Sequence, residues 1–176
     1  PQTAFERKQI LMLGSLKLYK SPLEFIELAQ KLPQFTFELV VNDTQENING
    51  FMKEHKINIC KNLTIYPQQN DVVPFYNQAS LVLNLSDKKQ VVETFGLTAL
   101  EAMSAGLPVI VPTEGGIAEM VVDGENGYKI DVQNLNQIAE CIKTILSDET
   151  LYMKLAQNAL AYSKRFSEAK MVNCIE

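Results

Sequence analysis

Two carboxylates eight residues apart, Glu93 and Glu101, enclose Thr94, Phe95, Gly96 and Leu97 and run into a stretch of helical spacing, Phe95 to Ala105. Glu93 precedes that helix and Glu101 lies about two turns inside it, an offset of roughly 10–12 Å at 1.5 Å rise per residue. The peptide N–H groups of the first turn, around Thr94 to Leu97, lie between the two acids and lack intrahelical partners. Such a helix end attracts anions through its free N–H groups and its dipole, and Gly96 lets a phosphate approach the backbone. The arrangement suits a sugar nucleotide, with the diphosphate on the helix N-terminus and a carboxylate at either side to accept from hydroxyl groups. Spacing alone selects nothing, because Glu38 with Glu46 and Glu46 with Glu54 repeat it. Taken alone, Glu101 also reads as a solvated helix residue and Glu93 as a carboxylate serving the dipole.

Other reactive residue types are sparse. His55, the only histidine, sits in the polar helical run Glu54-His55-Lys56, which makes it a surface residue and leaves no other imidazole for a triad. Cys60, Cys141 and Cys174 are widely separated and form no CxxC, so reduced structural thiols are expected rather than a disulfide framework or a zinc site. Sixteen Lys and Arg against 21 Asp and Glu give a net charge of −5, which argues against a nucleic-acid partner. Hydrophobic residues at 46% and charged residues at 21% are ordinary for a globular protein. No apolar run approaches the roughly 20 residues of a membrane span, and no signal peptide precedes the first strand. A buried strand so close to the start reads as a fragment cut at a domain boundary.

The elements that must position the acids follow from hydrophobic patterning. Solid apolar runs at Gln9–Leu13, Phe37–Val41, Leu63–Tyr66, Leu81–Leu85 and Val109–Val111 predict five buried strands. Between them, helical spacing predicts helices at Leu23–Leu32, Glu46–His55, Asp71–Gln78 and Phe95–Ala105, the last closed by Gly106 and Pro108. Two further helices, Leu135–Leu146 and Leu151–Phe166, precede a short tail. Alternating strands and helices of this kind predict an α/β, doubly wound, Rossmann-like parallel sheet with helices at its C-terminal end, one domain over residues 1–176. Ligands of such sheets bind beyond the carboxyl ends of the strands, so the loops after Leu13, Val41, Tyr66, Leu85 and Val111 are the candidates.

The run Glu93-Thr94-Phe95-Gly96-Leu97, Glu101-Ala102-Met103 and Gly106-Leu107-Pro108-Val109 resembles the E-x7-E signature of the retaining GT4 glycosyltransferases of the GT-B fold. It continues as that family does, through Gly115-Gly116-Ile117-Ala118-Glu119 and Val122-Asp123-Gly124 to Asn126-Gly127. The resemblance covers nearly the whole chain and implies the C-terminal, donor-binding domain, with the N-terminal acceptor domain absent. It implies that Glu93 meets the donor sugar, Glu101 the ribose, and the amides of Phe95, Gly96 and Leu97 the diphosphate.

In the loop Gly14 to Pro22, Lys20 matches the family's lysine for the leaving diphosphate. Ser15 stands where an arginine is usual and Ser21 where a glycine is usual, so a second cation is missing or comes from elsewhere, Lys17 being a candidate. Asn42-Asp43 replaces the family's glycine after the second strand. Gly115-Gly116 offers amides to the donor or simply a turn, while Asp123-Gly124 and Asn126-Gly127 read as tight turns. Ser86 to Gln90 reads as a solvated loop, with a pocket wall or lid as the alternative.

The activity implied is transfer of a hexosyl group from a UDP- or GDP-sugar to an acceptor hydroxyl, with no cofactor and no metal; no DxD-like motif occurs. The family further implies a cytoplasmic protein in cell-surface polysaccharide or glycolipid synthesis, the present domain having no direct membrane contact and little activity alone. The alternatives are a nucleotide-sugar epimerase of the same architecture and a non-catalytic flavodoxin-like module.

Overall fold

A computed structural model describes residues 2–90 and 96–175, with side chains through residue 167. Its frame is a parallel sheet of β1 (Gln9–Gly14), β2 (Thr36–Val41), β3 (Leu63–Tyr66), β4 (Leu81–Leu83), β5 (Val109–Val111) and β6 (Gly127–Lys129). The strands lie in the order β3-β2-β1-β4-β5-β6. The chain moves outward from β1 in one direction, then returns to β1 and continues in the other, so the order reverses between β1 and β4. In such a sheet the flanking crossovers part at that point and leave a crevice. Residues Gln9↔Thr36 through Gly14↔Val41 are in register, so β1 and β2 end level with each other.

Alternate residues of each strand point to opposite faces, and both faces are covered. On one, Ile10, Met12, Phe37, Leu39 and Ile110 join residues of α2 (Pro22–Lys31), α3 (Gln45–Glu54), α7 (Leu135–Ser147) and α8 (Glu149–Ile175). Phe25 of α2 packs edge-on against Phe37, with ring centroids 5.4 Å apart. On the other face, Leu11, Val40, Val82, Val109 and Val111 meet α4 (Val73–Gln78), α5 (Leu97–Ser104) and α6 (Gly116–Glu119). Two-sided burial is why the strands are solid apolar runs. A short helix, α1 (Gln2–Arg7), precedes β1.

The expected α/β sheet and its five strands are present, and three elements lie outside the expectations. β6, α6 and α1 are short, and β6 falls where Asn126-Gly127 reads as a turn. Gly127 is instead a strand residue pressed on β5: a Cβ there would lie 2.3 Å from the carbonyl oxygen of Val109. Asn126 is a clasp, its amide donating to the carbonyl of Met120 (3.0 Å) and accepting from the N–H of Val122 (2.9 Å). Strand β4 stops at Leu83 rather than Leu85, because the side-chain oxygen of Asn84 accepts from the N–H of Ser86 (3.0 Å) and turns the chain. The last helix runs through Ile175 in place of a short tail. Among the described residues no helix is long and apolar enough to cross a membrane.

Candidate functional site

At the carboxyl ends of β1 and β4, where the strand order reverses, lies a cleft of about 400 Å³. Gly14, Ser15 and Lys20 line it from the first loop, Asn42 from the second, Asn84 and Ser86 from the fourth, and Gly96, Leu97 and Thr98 from the start of α5. A second cleft of about 210 Å³ shares Leu13, Gly14 and Asn42 with the first and extends to Val40, Val41, Gln68, Gln69 and Val72. Through these shared residues the two adjoin across the ends of β2, β1 and β4.

The expected site residues fare differently. Glu93, Thr94 and Phe95 lie outside the described residues, as does the beginning of the helix expected at Phe95. Gly96, Leu97, Ser15 and Lys20 all line the first cleft. The helix is described from Leu97, and its first intrahelical bond joins the N–H of Leu100 to the carbonyl of Gly96 (2.9 Å). The N–H groups of Leu97, Thr98 and Ala99 therefore have no carbonyl inside the helix. Thr98, which was not among the expected residues, lines the cleft with Gly96 and Leu97.

Gly96 has a packing reason for being glycine. A Cβ there would come within 2.5 Å of Cγ1 of Ile117, which is fully buried in α6. The contact draws α6 against the start of α5. Just ahead of α6, Gly115 has φ 95° and ψ 179°, backbone that L side chains rarely adopt, and its carbonyl accepts from the N–H of Ala118 (3.1 Å). Gly115 thus makes a helix-initiating turn.

The first loop closes as a single 3₁₀ turn, Leu18–Lys20, in which Lys20 N–H donates to the carbonyl of Lys17 (2.9 Å). Ser21 follows with φ 61° and is buried, so it adopts the left-handed backbone that the family's usual glycine reaches without strain. The hydroxyl of Ser15 accepts from the N–H of Lys17 (3.2 Å), which leaves its proton for a ligand. Lys17 is exposed and outside the cleft lining, its ammonium 5.9 Å from the ring centroid of Tyr19.

Glu101 follows one turn further along α5, exposed and outside the lining of both clefts, and its Oε2 accepts from the buried hydroxyl of Tyr76 at 2.8 Å. Of the competing acids, Glu46 and Glu54 occupy exposed positions at the two ends of α3, and Glu38 is mid-strand in β2. Tyr76 escaped the sequence reading because 25 residues separate it from Glu101 and no spacing links them.

The segment Ser86 to Gln90, expected as a solvated loop, is instead tied down at its start. Ser86 is buried and lines the cleft, and the N–H of Asp87 donates to the carbonyl of Tyr19 (2.8 Å). The ammonium of Lys88 reaches the hydroxyl of Thr113 (3.0 Å), Asp131 (3.3 Å) and Glu114 (3.6 Å). The segment is a wall of the cleft held between the first loop and the loop after β5.

His55 is half-buried rather than superficial, its ring 4.4 Å from that of Phe51 at the end of α3 remote from the cleft. Cys60 and Cys141 form no disulfide. Burial, with a smaller contribution from Asp123, pushes the Cys141 thiol up to about 12, which makes it inert as a nucleophile. Cys174 lies among the residues whose side chains are not described.

The sequence pattern of the family described as "Glycosyl transferases group 1" matches residues 2–162. The chain is 30% identical over 139 residues to N-acetyl-alpha-D-glucosaminyl L-malate synthase of Bacillus anthracis, covering 78% of this chain and 35% of that protein. It is similar to the C-terminal domain of a group 1 family glycosyl transferase, LpcC, from Francisella tularensis, with a TM-score of 0.75 and 28% identity, covering 93% of this chain and 90% of that one. HepE of Anabaena, solved in complex with UDP-glucose, has the same fold, with a TM-score of 0.77 and 24% identity over 90% of this chain and 44% of that one. The chain spans less than half the length of the curated relatives it matches.

Proposed function

The chain belongs to the group 1 glycosyl transferases, and we propose that it is the donor-binding half of a retaining two-domain enzyme. That enzyme moves a glycosyl group from a nucleoside diphosphate to an acceptor hydroxyl. The observation that carries this reading is the cleft at the β1–β4 reversal, which the first turn of α5 and Lys20 both line. The diphosphate lies on the N–H groups of Leu97 and Thr98, the ribose on Glu101, and the base in the adjoining cleft beside Val40 and Val72. Glu93 faces the donor sugar, by the family pattern. As the glycosidic bond breaks, negative charge accumulates on the departing diphosphate. The helix end, worth about half a unit charge, and the Lys20 ammonium stabilise it with no metal ion. Ser15 adds a neutral donor where the family pattern has a cation.

HepE holds UDP-glucose on a protein of this fold, which supports a sugar nucleotide as the donor, and UDP and GDP are both retained as its nucleotide. An N-terminal domain of the same enzyme supplies the acceptor site, which accords with the chain's partial coverage of its relatives and makes this half inactive alone. Cell-surface polysaccharide or glycolipid synthesis on the cytoplasmic side is the setting we infer. The epimerase alternative finds no support in the transferases and the synthase to which the chain is similar.

Calorimetry in EDTA tests the reading. UDP or GDP should bind at least about tenfold more tightly than its nucleoside, from two or more charge-assisted contacts to phosphate. Equal affinities would remove the phosphate site.

A further inference from the structure

Glu101 is exposed, yet its carboxylate is not left to swing in solvent. The hydroxyl of Tyr76 donates to Oε2 at 2.8 Å and lies 3.4 Å from the carbonyl oxygen of Thr98. The ring that carries this hydroxyl is 5% exposed, packed in the core cluster that also contains Val82, Ala99, Ala102 and Met103. A phenol has two side-chain torsions, both fixed here by packing, whereas a glutamate has three and loses much freedom when held. Packing alone would be met by phenylalanine; the hydroxyl adds a rigid donor from α4 to Glu101, one turn along α5 from the Leu97 and Thr98 that line the cleft. An ionised carboxylate accepts about four hydrogen bonds. One from Tyr76 therefore leaves Oε1 and the remaining lone pairs of Oε2 for a vicinal diol, which needs two acceptors in fixed relation.

We propose that Tyr76 is a positioning residue that holds the Glu101 carboxylate for the two ribose hydroxyls, and so sets the preference for ribonucleotides over their deoxy forms. This rests on the reading of Glu101 as the ribose acceptor. Burial first, and then the hydrogen bond and charge of Glu101, push the Tyr76 phenol far above its ordinary value, so it remains a donor throughout the physiological range. The ring packs in one cluster with Ala99, Ala102 and Met103 of the same helix that carries Glu101, so the acid is held on α5 by both the hydroxyl and the packing beneath it.

The experiment is calorimetry of the chain and its Tyr76→Phe variant with UDP, GDP and the 2′,3′-dideoxy form of each. In the unsubstituted protein the ribonucleotide that binds should be preferred over its dideoxy form by about tenfold or more. Tyr76→Phe should lose about three- to tenfold in affinity for the ribonucleotide and nothing for the dideoxy form. Equal losses on both would mean that Tyr76 only supports the fold, and an unchanged preference would mean that it does nothing for the ribose; either overturns the inference while leaving Glu101 in place. No preference in the unsubstituted protein would remove the ribose role of Glu101 itself, and the inference with it. Should Tyr76→Phe fail to fold, fluorine NMR of protein labelled with 3-fluorotyrosine replaces it. The Tyr76 resonance should shift more with the ribonucleotide than with its dideoxy form, and equal shifts count against the inference.

Discussion

The two ends of the sheet treat polar groups in opposite ways. At the amino ends of the strands the chain satisfies itself. Ser80, fully buried at the start of β4, donates its N–H to the carbonyl of Gln9 (2.7 Å), accepts the N–H of Gln9 on Oγ (3.0 Å) and donates its hydroxyl to the carbonyl of Ala4. Its carbonyl takes the hydroxyl of Tyr152 at 2.6 Å. Ahead of β3, one Asn62 amide serves the carbonyls of Ala29 (2.9 Å), Leu32 (3.1 Å) and Phe35 (2.9 Å), where α2 ends and β2 begins. At the carboxyl ends, Ser15, Lys20, Asn42, Asn84 and the first turn of α5 face an open cleft. Buried polar groups are costly unless paired. On the proposed reading the closed end bears on stability and the open end on binding, and variants at the two ends should separate these readouts.

The largest separation is expected at Asn62. Asn62→Ala removes an amide shared by three carbonyls, of which that of Leu32 also accepts the N–H of Phe35 (3.1 Å), and should lower unfolding free energy by about 2–4 kcal/mol, measured by urea denaturation. The folded fraction should keep its affinity for UDP or GDP; a parallel loss of affinity would show that the ends are not independent. Lys20→Ala is the converse. It should weaken nucleoside diphosphate binding by about 1.5–3 kcal/mol, the range for hydrogen bonds to charged groups, a larger effect on affinity than Asn62→Ala has. Affinity should also fall with salt in the unsubstituted protein and less so in the variant. Full-strength binding of the variant at low salt would remove Lys20 from the site. Tyr152→Phe keeps the ring against Phe5 and removes one donor from a buried carbonyl, for about 1–2 kcal/mol of stability and no change in affinity.

The same contrast governs what was legible in the sequence. Strands buried on both faces are solid apolar runs, so the sheet and the loops at its carboxyl ends could be read directly. Lys20, Ser15, Gly96 and Leu97, expected from the resemblance to the family's short motifs, all line the cleft. Tyr76 could not be read, since its partner lies in another helix. Nor could Asn62, whose three acceptors come from the end of α2 and the connection to β2; an asparagine between a lysine and a leucine carries no local signal of that role. Strand β6 was hidden because Gly127-Tyr128-Lys129, unlike the equally short Val109–Val111, is not an apolar run, and Asn126-Gly127 has the composition of a turn. The packing of Gly96 on Ile117 was equally hidden, because glycine at a helix start has a sufficient local reason in phosphate approach.

The smallest effect belongs to Lys88, which lies at the open end but is satisfied by the chain. Its ammonium holds Thr113 on the loop after β5 and Asp131 beyond β6, and its side chain is 27% exposed against 14% for Asp131. Partly exposed ion pairs contribute little, because water already solvates both charges and two long side chains must be ordered. Lys88→Met keeps the aliphatic stem and removes the charge, and should cost about 0.5 kcal/mol of stability, within the range for such pairs. The difference should shrink in roughly 0.5 M salt, where screening shortens the reach of the pair to a few ångströms. If position in the sheet alone decided a residue's role, this variant would instead lose nucleotide affinity as Lys20→Ala does. If lining the cleft decides it, affinity for UDP or GDP should stay within about twofold, since Lys88 is outside that lining and no contact to a charged ligand group is lost. A large affinity loss without a stability loss would mean that Lys88 leaves Asp131 to reach the ligand, and would supply the second cation that Ser15 does not provide.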